Sequence, residues 1–198
     1  MRAWPPKVTK GPPVPTAFLD RDGTLNRDKA GTYILKPSQL KLYAKAPAAV
    51  KLLNAKGYRV VVLTNQSAVG RGYMTLAASR AINLKMVREL RRAGARVDAV
   101  YFCPHAPEAA CACRKPRPGL IKEAAKDRPA DPALSFMAGD KKCDLDLARR
   151  AGIKGRLVLT GQWRHSLGAA AARKGCKDLL TLARALPDVS GGEKRKTR

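Results

Sequence analysis

Thr16-Ala17-Phe18-Leu19-Asp20-Arg21-Asp22-Gly23-Thr24 is the stretch that decides how this chain is read. Ala17, Phe18 and Leu19 follow the prolines 12, 13 and 15 and stop abruptly at Asp20, the pattern of a buried strand that ends in a polar turn. In an open α/β sheet, ligands bind beyond the carboxyl ends of the strands, so Asp20 and Asp22 are expected to face a crevice. Carboxylates two apart on extended backbone share a direction, and Gly23 lets the chain turn directly after them. A carboxylate so placed can attack phosphorus and form an acyl phosphate, provided a divalent cation and fixed donors offset the repulsion between two anions. Taken alone, Asp-x-Asp-Gly also fits a surface turn or part of a calcium loop.

The remaining chain supports a sheet. At 198 residues it fits one domain, with 45 % hydrophobic and only 5 % aromatic residues, so an aliphatic core and Ala-rich helices are expected. Residues 1–15 hold five prolines and read as a disordered arm, 16–188 as the domain, and 189–198 as a disordered basic tail. No stretch approaches the ~20 apolar residues of a membrane span and no secretory signal is evident, so a cytoplasmic monomer with no membrane partner is expected. The net charge of +25 suits anionic ligands or loose contact with nucleic acid, and equally a merely solvated basic surface. No aromatic residues interleave the charge as they do in a stacking platform, so no obligate nucleic-acid partner is expected.

After the first strand, residues 25–37 read as a flap over the crevice, and 46–56 as a helix with Pro47 in its first turn and Gly57 as its stop. Residues 58–63 form a second buried strand ending in Thr64-Asn65-Gln66-Ser67, hydroxyl and amide donors suited to phosphate or sugar oxygens. Thr75 caps a helix that runs to Ala93, and 97–102 form a third strand. Cys103, His105, Cys111 and Cys113 then provide three sulfurs and one imidazole, a closed tetrahedral set that suits a structural zinc ion. Arg114 and Lys115 follow at once, a planar fork and a point charge delivered to a fixed place. A short helix spans 120–126, and a fourth strand, 134–138, ends in Gly139-Asp140-Lys141, with Asp144 on the next helix, 145–151. Asp140 joins Asp20 as a hard oxygen ligand suited to magnesium, while Asp144 is expected to orient Lys141 or the metal's waters. A fifth strand, 155–159, and a last amphipathic helix, 178–186, complete the pattern; Cys143 and Cys176 read as plain thiols.

These clusters, in this order, resemble the haloacid dehalogenase superfamily of phosphatases. The cysteine loop running into Arg114-Lys115-Pro116 is similar to the branch that holds the heptose bisphosphate and histidinol-phosphate phosphatases. Thr64-Asn65-Gln66-Ser67 with Gly70-Arg71-Gly72, and Val158-Leu159-Thr160-Gly161, resemble the heptose group. Ala68, where that group usually has glycine, and the longer flap Lys29-Ala30-Gly31-Thr32-Tyr33 depart from it, as do the proline-rich arm and the charge.

The resemblance implies a doubly wound, mainly parallel sheet without a large cap domain and with a zinc-stapled loop. Only 43 residues lie between Asp20 and Thr64, too few for a separate cap. The resemblance further implies that Asp20 is the nucleophile and Asp22 the acid and base. Magnesium is then held by the Asp20 carboxylate, the Asp22 carbonyl and Asp140, and the phosphoryl group is stabilised by Thr64 and Lys115. Asp28, Asn65, Gln66, Ser67, Arg114 and Lys141 are the expected substrate contacts. The implied substrate is the 7-phosphate of a heptose 1,7-bisphosphate destined for a surface glycan such as lipopolysaccharide. The competing readings are a histidinol-phosphate phosphatase and a nucleic-acid-binding terminal phosphatase, for which the charge argues.

Overall fold

The computed structural model describes residues 2–4, 11–28, 30–168 and 173–191. Five parallel strands form the body of one sheet: β2 (Thr16–Leu19), β3 (Arg59–Asn65), β4 (Ala99–Cys103), β5 (Phe136–Gly139) and β6 (Lys154–Leu157). Their spatial order is β4-β3-β2-β5-β6, with β1 (Arg2–Trp4) added antiparallel outside β4. The chain runs outward from β2 through β3 to β4, then returns to place β5 on the other side of β2. That reversal opens a crevice beyond the carboxyl ends of β2 and β5.

Strand residues alternate between two apolar layers, as a two-period pleat requires. Ala17, Leu19, Val60, Val62, Val100 and Phe136 pack under α1 (Ala46–Ala55), α3 (Leu76–Arg92) and α7 (Leu179–Ala185). Phe18, Val61, Leu63, Tyr101 and Met137 pack under α4 (Gly119–Asp127) and α5 (Lys142–Arg150). Burial on both faces explains the unbroken apolar run of β3. Two short helices, α2 (Ser67–Gly70) and α6 (Trp163–Leu167), lie after β3 and β6.

Several boundaries differ from the sequence expectation. β3 runs on through Thr64 and Asn65, because both still pair with β4. α5 starts at Lys142 rather than 145, so Asp144 sits in its first turn, where its carboxylate accepts from the Lys141 N–H. Helices α2 and α6 occupy stretches with too few residues to show periodicity. The arm expected to be disordered contributes an edge strand at Arg2–Trp4, and Val14 bonds with Pro129 and Asp131. Residues 5–10 lie outside the described residues. At the other end, Val189 donates to the Lys56 carbonyl and packs against the core, so the ordered chain passes residue 188; residues 192–198 lie outside the described set.

Helix α7 closes over α1 and is capped by Asp178, whose carboxylate accepts from the Thr181 N–H (2.8 Å) and pairs with Lys45 (2.9 Å). Burial alone would lift this carboxyl, but Lys45 and Thr181 outweigh it and hold it at about 2. Asp178→Ala should lower the unfolding free energy by about 1 kcal/mol in urea titrations at pH 7. Since the folded value lies below the ordinary 3.8, this contribution is complete above that value and fades as pH falls towards 2. The gap between wild type and variant should narrow accordingly.

Candidate active site

The crevice at the switch point is a cleft of about 300 Å³. Asp20 leaves β2 with its N–H bonded to the Ala138 carbonyl of β5 (2.9 Å), so the backbone of one strand fixes the residue against the other. Its Oδ1 meets the Lys115 ammonium at 2.7 Å. Lys115 reaches Asp144 Oδ1 at the same distance and donates to the Leu63 carbonyl at 2.9 Å, so all three of its protons are directed. The ammonium is buried. Burial by itself would push its pKa down, but Asp144 and Asp20 more than reverse that and hold it well above the usual lysine range. Asp144 is thus the partner of Lys115, not of the Lys141 ammonium as expected. Lys141 Nζ instead pairs with Asp28 at 3.0 Å, and Asp28 also accepts from the Gln162 side chain.

The position of Lys115 is fixed from both sides of the sheet's end. The Asn65 side-chain amide bonds to the Lys115 backbone in both directions, at 3.0 and 3.2 Å. Two residues earlier lies the cysteine loop. Cys103, His105, Cys111 and Cys113 bring their ligand atoms together, with neighbouring donors 3.3–3.6 Å apart. Tetrahedral zinc with bonds of about 2.0–2.3 Å needs edges of nearly this length, so the four residues fit such an ion.

Asp140, at the end of β5, completes an acidic cluster. One carboxylate oxygen each from Asp20, Asp140 and Asp144 lie within 4.8 Å of one another, all three residues buried. Asp140 Oδ2 accepts from the Gln162 N–H at 2.7 Å, whereas its Oδ1 is buried with no hydrogen-bond partner among the described residues. Gly23 and Gly161, both at positive φ (87° and 65°), approach so closely that a Cβ on either would collide with the Asp140 carboxylate. An orphaned hard oxygen among carboxylates, with backbone on two sides, fits a small divalent cation such as magnesium. In the metal-free protein, burial and the Asp20 charge push Asp140 up to about 7, and burial raises Asp144 to about 6 although Lys115 opposes it.

Asp22 is held differently. Its Oδ1 accepts from Arg21 Nε (3.1 Å) and Asn26 Nδ2 (2.9 Å), and its Oδ2 from Arg21 Nη2 (2.8 Å) and Gln66 Nε2 (2.9 Å). Burial would raise this carboxyl, but Arg21, Asn26 and Gln66 outweigh it and hold it below the usual carboxylate range. Its side chain does not enter the acidic cluster, which leaves only its backbone carbonyl for the expected metal role.

Of the expected site residues, Asp20, Asp22, Asp28, Thr64, Asn65, Ser67, Arg114, Lys115 and Lys141 all line the cleft. Gln66 does not: it is buried and spends its amide on Asp22 and on Thr64 Oγ1 (2.8 Å). Asn65 reaches the wall, but its amide is committed to Lys115. Sequence reading missed Gln162, which ties Asp140 to Asp28, and Arg21; a charged residue between the two motif aspartates was the available signal for the latter. The flap contributes Gly31, Thr32 and Tyr33, and the Tyr33 ring rests on Tyr73 with centroids 5.7 Å apart. Cys143 also lines the cleft, and burial pushes its thiol up to about 12, in keeping with a plain thiol.

A paired aspartate motif on the central parallel strand, an acidic residue across the switch point and a buried lysine between them define a hydrolase of the haloacid dehalogenase type. Residues 112–182 match the HAD-hydrolase-like family. The chain is 42 % identical over 144 residues to the probable D-glycero-D-manno-heptose-1,7-bisphosphate 7-phosphatase of Thermoplasma acidophilum, covering 72 % of this chain and 89 % of that one. It is 42 % identical over 155 residues to the D-glycero-beta-D-manno-heptose-1,7-bisphosphate 7-phosphatase of Rhodopseudomonas palustris, covering 75 % and 85 %. The D,D-heptose 1,7-bisphosphate phosphatase of B. bronchiseptica, crystallised with magnesium and phosphate, superposes with a TM-score of 0.77 at 35 % identity, covering 85 % and 96 %. The chain belongs to this family of HAD-type heptose bisphosphate phosphatases.

The acidic cluster makes a pH prediction. Asp140 and Asp144 have folded values above the unfolded 3.8, so folding takes up protons between about pH 4 and 7. The stability of the metal-free protein should be highest at the acid end of that window and decline as pH rises through it, measured by urea unfolding in chelator. A rise in stability across the same window would contradict the assignment.

Proposed function

We propose that this protein is a magnesium-dependent phosphatase that removes the 7-phosphate of D-glycero-D-manno-heptose 1,7-bisphosphate through an aspartyl phosphate on Asp20. The observation that carries the reading is the Asp20 carboxylate at the cleft, braced by a buried lysine beside a buried Asp140 oxygen that has no protein partner among the described residues. The substrate is supported by the names of the relatives and by two cations that line the cleft, Arg114 and Lys141, whose charge suits a second phosphate.

Asp20 attacks phosphorus while Lys115 and the Thr64 hydroxyl neutralise charge on the transferring group. Asp20, Asp140 and the Asp22 carbonyl would hold a magnesium ion, which would supply charge neutralisation to the transferring group. Asp22 is a carboxylate in the free site; a phosphate dianion beside it disfavours that charge, so the carboxyl takes up a proton as substrate enters. It gives this proton to the leaving sugar oxygen and later removes one from the water that cleaves the aspartyl phosphate. Asp28, Ser67, Arg114 and Lys141 contact the sugar and its remaining phosphate. Cys103, His105, Cys111 and Cys113 would hold a zinc ion, which would fix the loop that delivers Arg114 and Lys115.

No helix among the described residues is long and apolar enough to cross a membrane, and a thiol-rich metal site suits a reducing compartment. We place the enzyme in the cytoplasm as a monomer, supplying heptose for a surface glycan such as lipopolysaccharide, with no obligate nucleic-acid partner.

Phosphate release measured side by side should favour the heptose bisphosphate over histidinol phosphate and a 5′-phosphorylated oligonucleotide by about 100-fold in kcat/KM, and should vanish when magnesium is chelated. Preference for histidinol phosphate or for the oligonucleotide would overturn the substrate assignment. Cys111→Ser should lower zinc content and raise KM for the bisphosphate; unchanged KM with zinc lost would sever the loop from the site.

A further inference from the structure

Arg21 does not line the cleft, and its guanidinium reaches into the protein. It is 1 % exposed, yet it lies between the two motif aspartates. Its planar fork grips both oxygens of Asp22, and its remaining Nη1 donates to Asn83 Oδ1 at 2.8 Å. Asn83 is fully buried on the apolar face of α3, beside Ile82, Met86 and Val87. Its Nδ2 has no hydrogen-bond partner among the described residues. Burying an unsatisfied amide costs about 1–3 kcal/mol, so core stability alone does not account for this residue. What Asn83 supplies is a carbonyl aimed at a guanidinium.

We propose that Asn83 and Arg21 are positioning residues for proton transfer to the leaving group: Asn83 holds the guanidinium, and the guanidinium fixes the plane of the Asp22 carboxylate at the cleft wall. The inference rests on the phosphatase reading above. In the first half-reaction an Asp20 oxygen bonds to phosphorus as the bond from phosphorus to the sugar oxygen breaks, and the Asp22 proton passes to that oxygen. In the second, Asp22 takes a proton from the water whose oxygen displaces Asp20 from phosphorus, which restores both carboxyl groups. A bidentate fork sets the plane of a carboxylate, whereas a lysine at the same position supplies charge without that plane. Gln66 and Asn26 complete the hold from the other side.

The test exploits leaving groups that differ in their need for a proton. A sugar alkoxide must be protonated as it departs; 4-nitrophenolate leaves without it. Rapid-mixing measurements of the first half-reaction should be made on wild type, Arg21→Met, Arg21→Lys and Asn83→Ala, with the heptose bisphosphate and with 4-nitrophenyl phosphate. With the heptose, Arg21→Met should slow the first half-reaction by about 100-fold or more, while the 4-nitrophenol burst stays within the same order of magnitude. Arg21→Lys should keep the skew despite retaining the charge, and Asn83→Ala should show it in smaller degree. Should Arg21→Met fail to fold, Asn83→Ala carries the test, and its 4-nitrophenol burst reports that Asp20 and Lys115 are intact. A parallel fall with both substrates, or no change with either, would make the pair merely structural and overturn the proposal. A wild type that releases no product from either substrate would refute the phosphatase reading instead.

Discussion

The structure depends on one electrostatic constraint: three buried carboxylates, Asp20, Asp140 and Asp144, lie together, and the one buried ammonium beside them, Lys115, pairs with only Asp20 and Asp144. Taking such charges out of water costs several kcal/mol per ion, and their attraction offsets that only when every remaining donor and acceptor is satisfied. Lys115 meets the condition, with two carboxylates and the Leu63 carbonyl around it. Asp140 does not: its Oδ1 has no hydrogen-bond partner among the described residues, an arrangement that fits a divalent cation.

Much of the surrounding architecture serves to deliver that ammonium. Lys115 lies on no helix or strand, so its position needs outside support. The Asn65 amide clasps its backbone from the end of β3, and the Gln66 N–H bonds to the Cys103 carbonyl where the cysteine loop leaves β4. The cluster of Cys103, His105, Cys111 and Cys113, whose ligand atoms could hold a metal ion, ends two residues before Lys115 in this irregular loop. The same logic runs through Gln66, whose amide donates to both the Thr64 hydroxyl and the Asp22 carboxylate and so ties two cleft residues together.

The strand-end aspartates were legible because an apolar run of strand length that stops at a carboxylate places that charge at the sheet's edge, where a crevice can hold it. The cysteine loop was legible because ligand chemistry restricts spacing. Residues joined only by tertiary contacts were not. Gln66 reads as a phosphate donor at a strand end, yet its amide turns inward; no local pattern separates these two directions. Arg21 and Asn83 meet across 62 residues of sequence, and a buried arginine looks like any other charge in a chain of +25. Strand β1 has three residues, too short for alternation to show, and exists through its pairing with β4. Among the described residues, Arg21 and Lys115 are the only buried cations of this highly charged chain.

The proposed reaction centres on Asp20 as its nucleophile. The direct test is to quench the enzyme during turnover of the heptose bisphosphate, reduce the acyl phosphate with borohydride, and locate the modified residue by peptide mass spectrometry. The account predicts that aspartate is converted to homoserine at position 20 alone, and only when magnesium is present. An adduct on Asp22, Asp140 or Asp144, or turnover with no reducible intermediate, would contradict it.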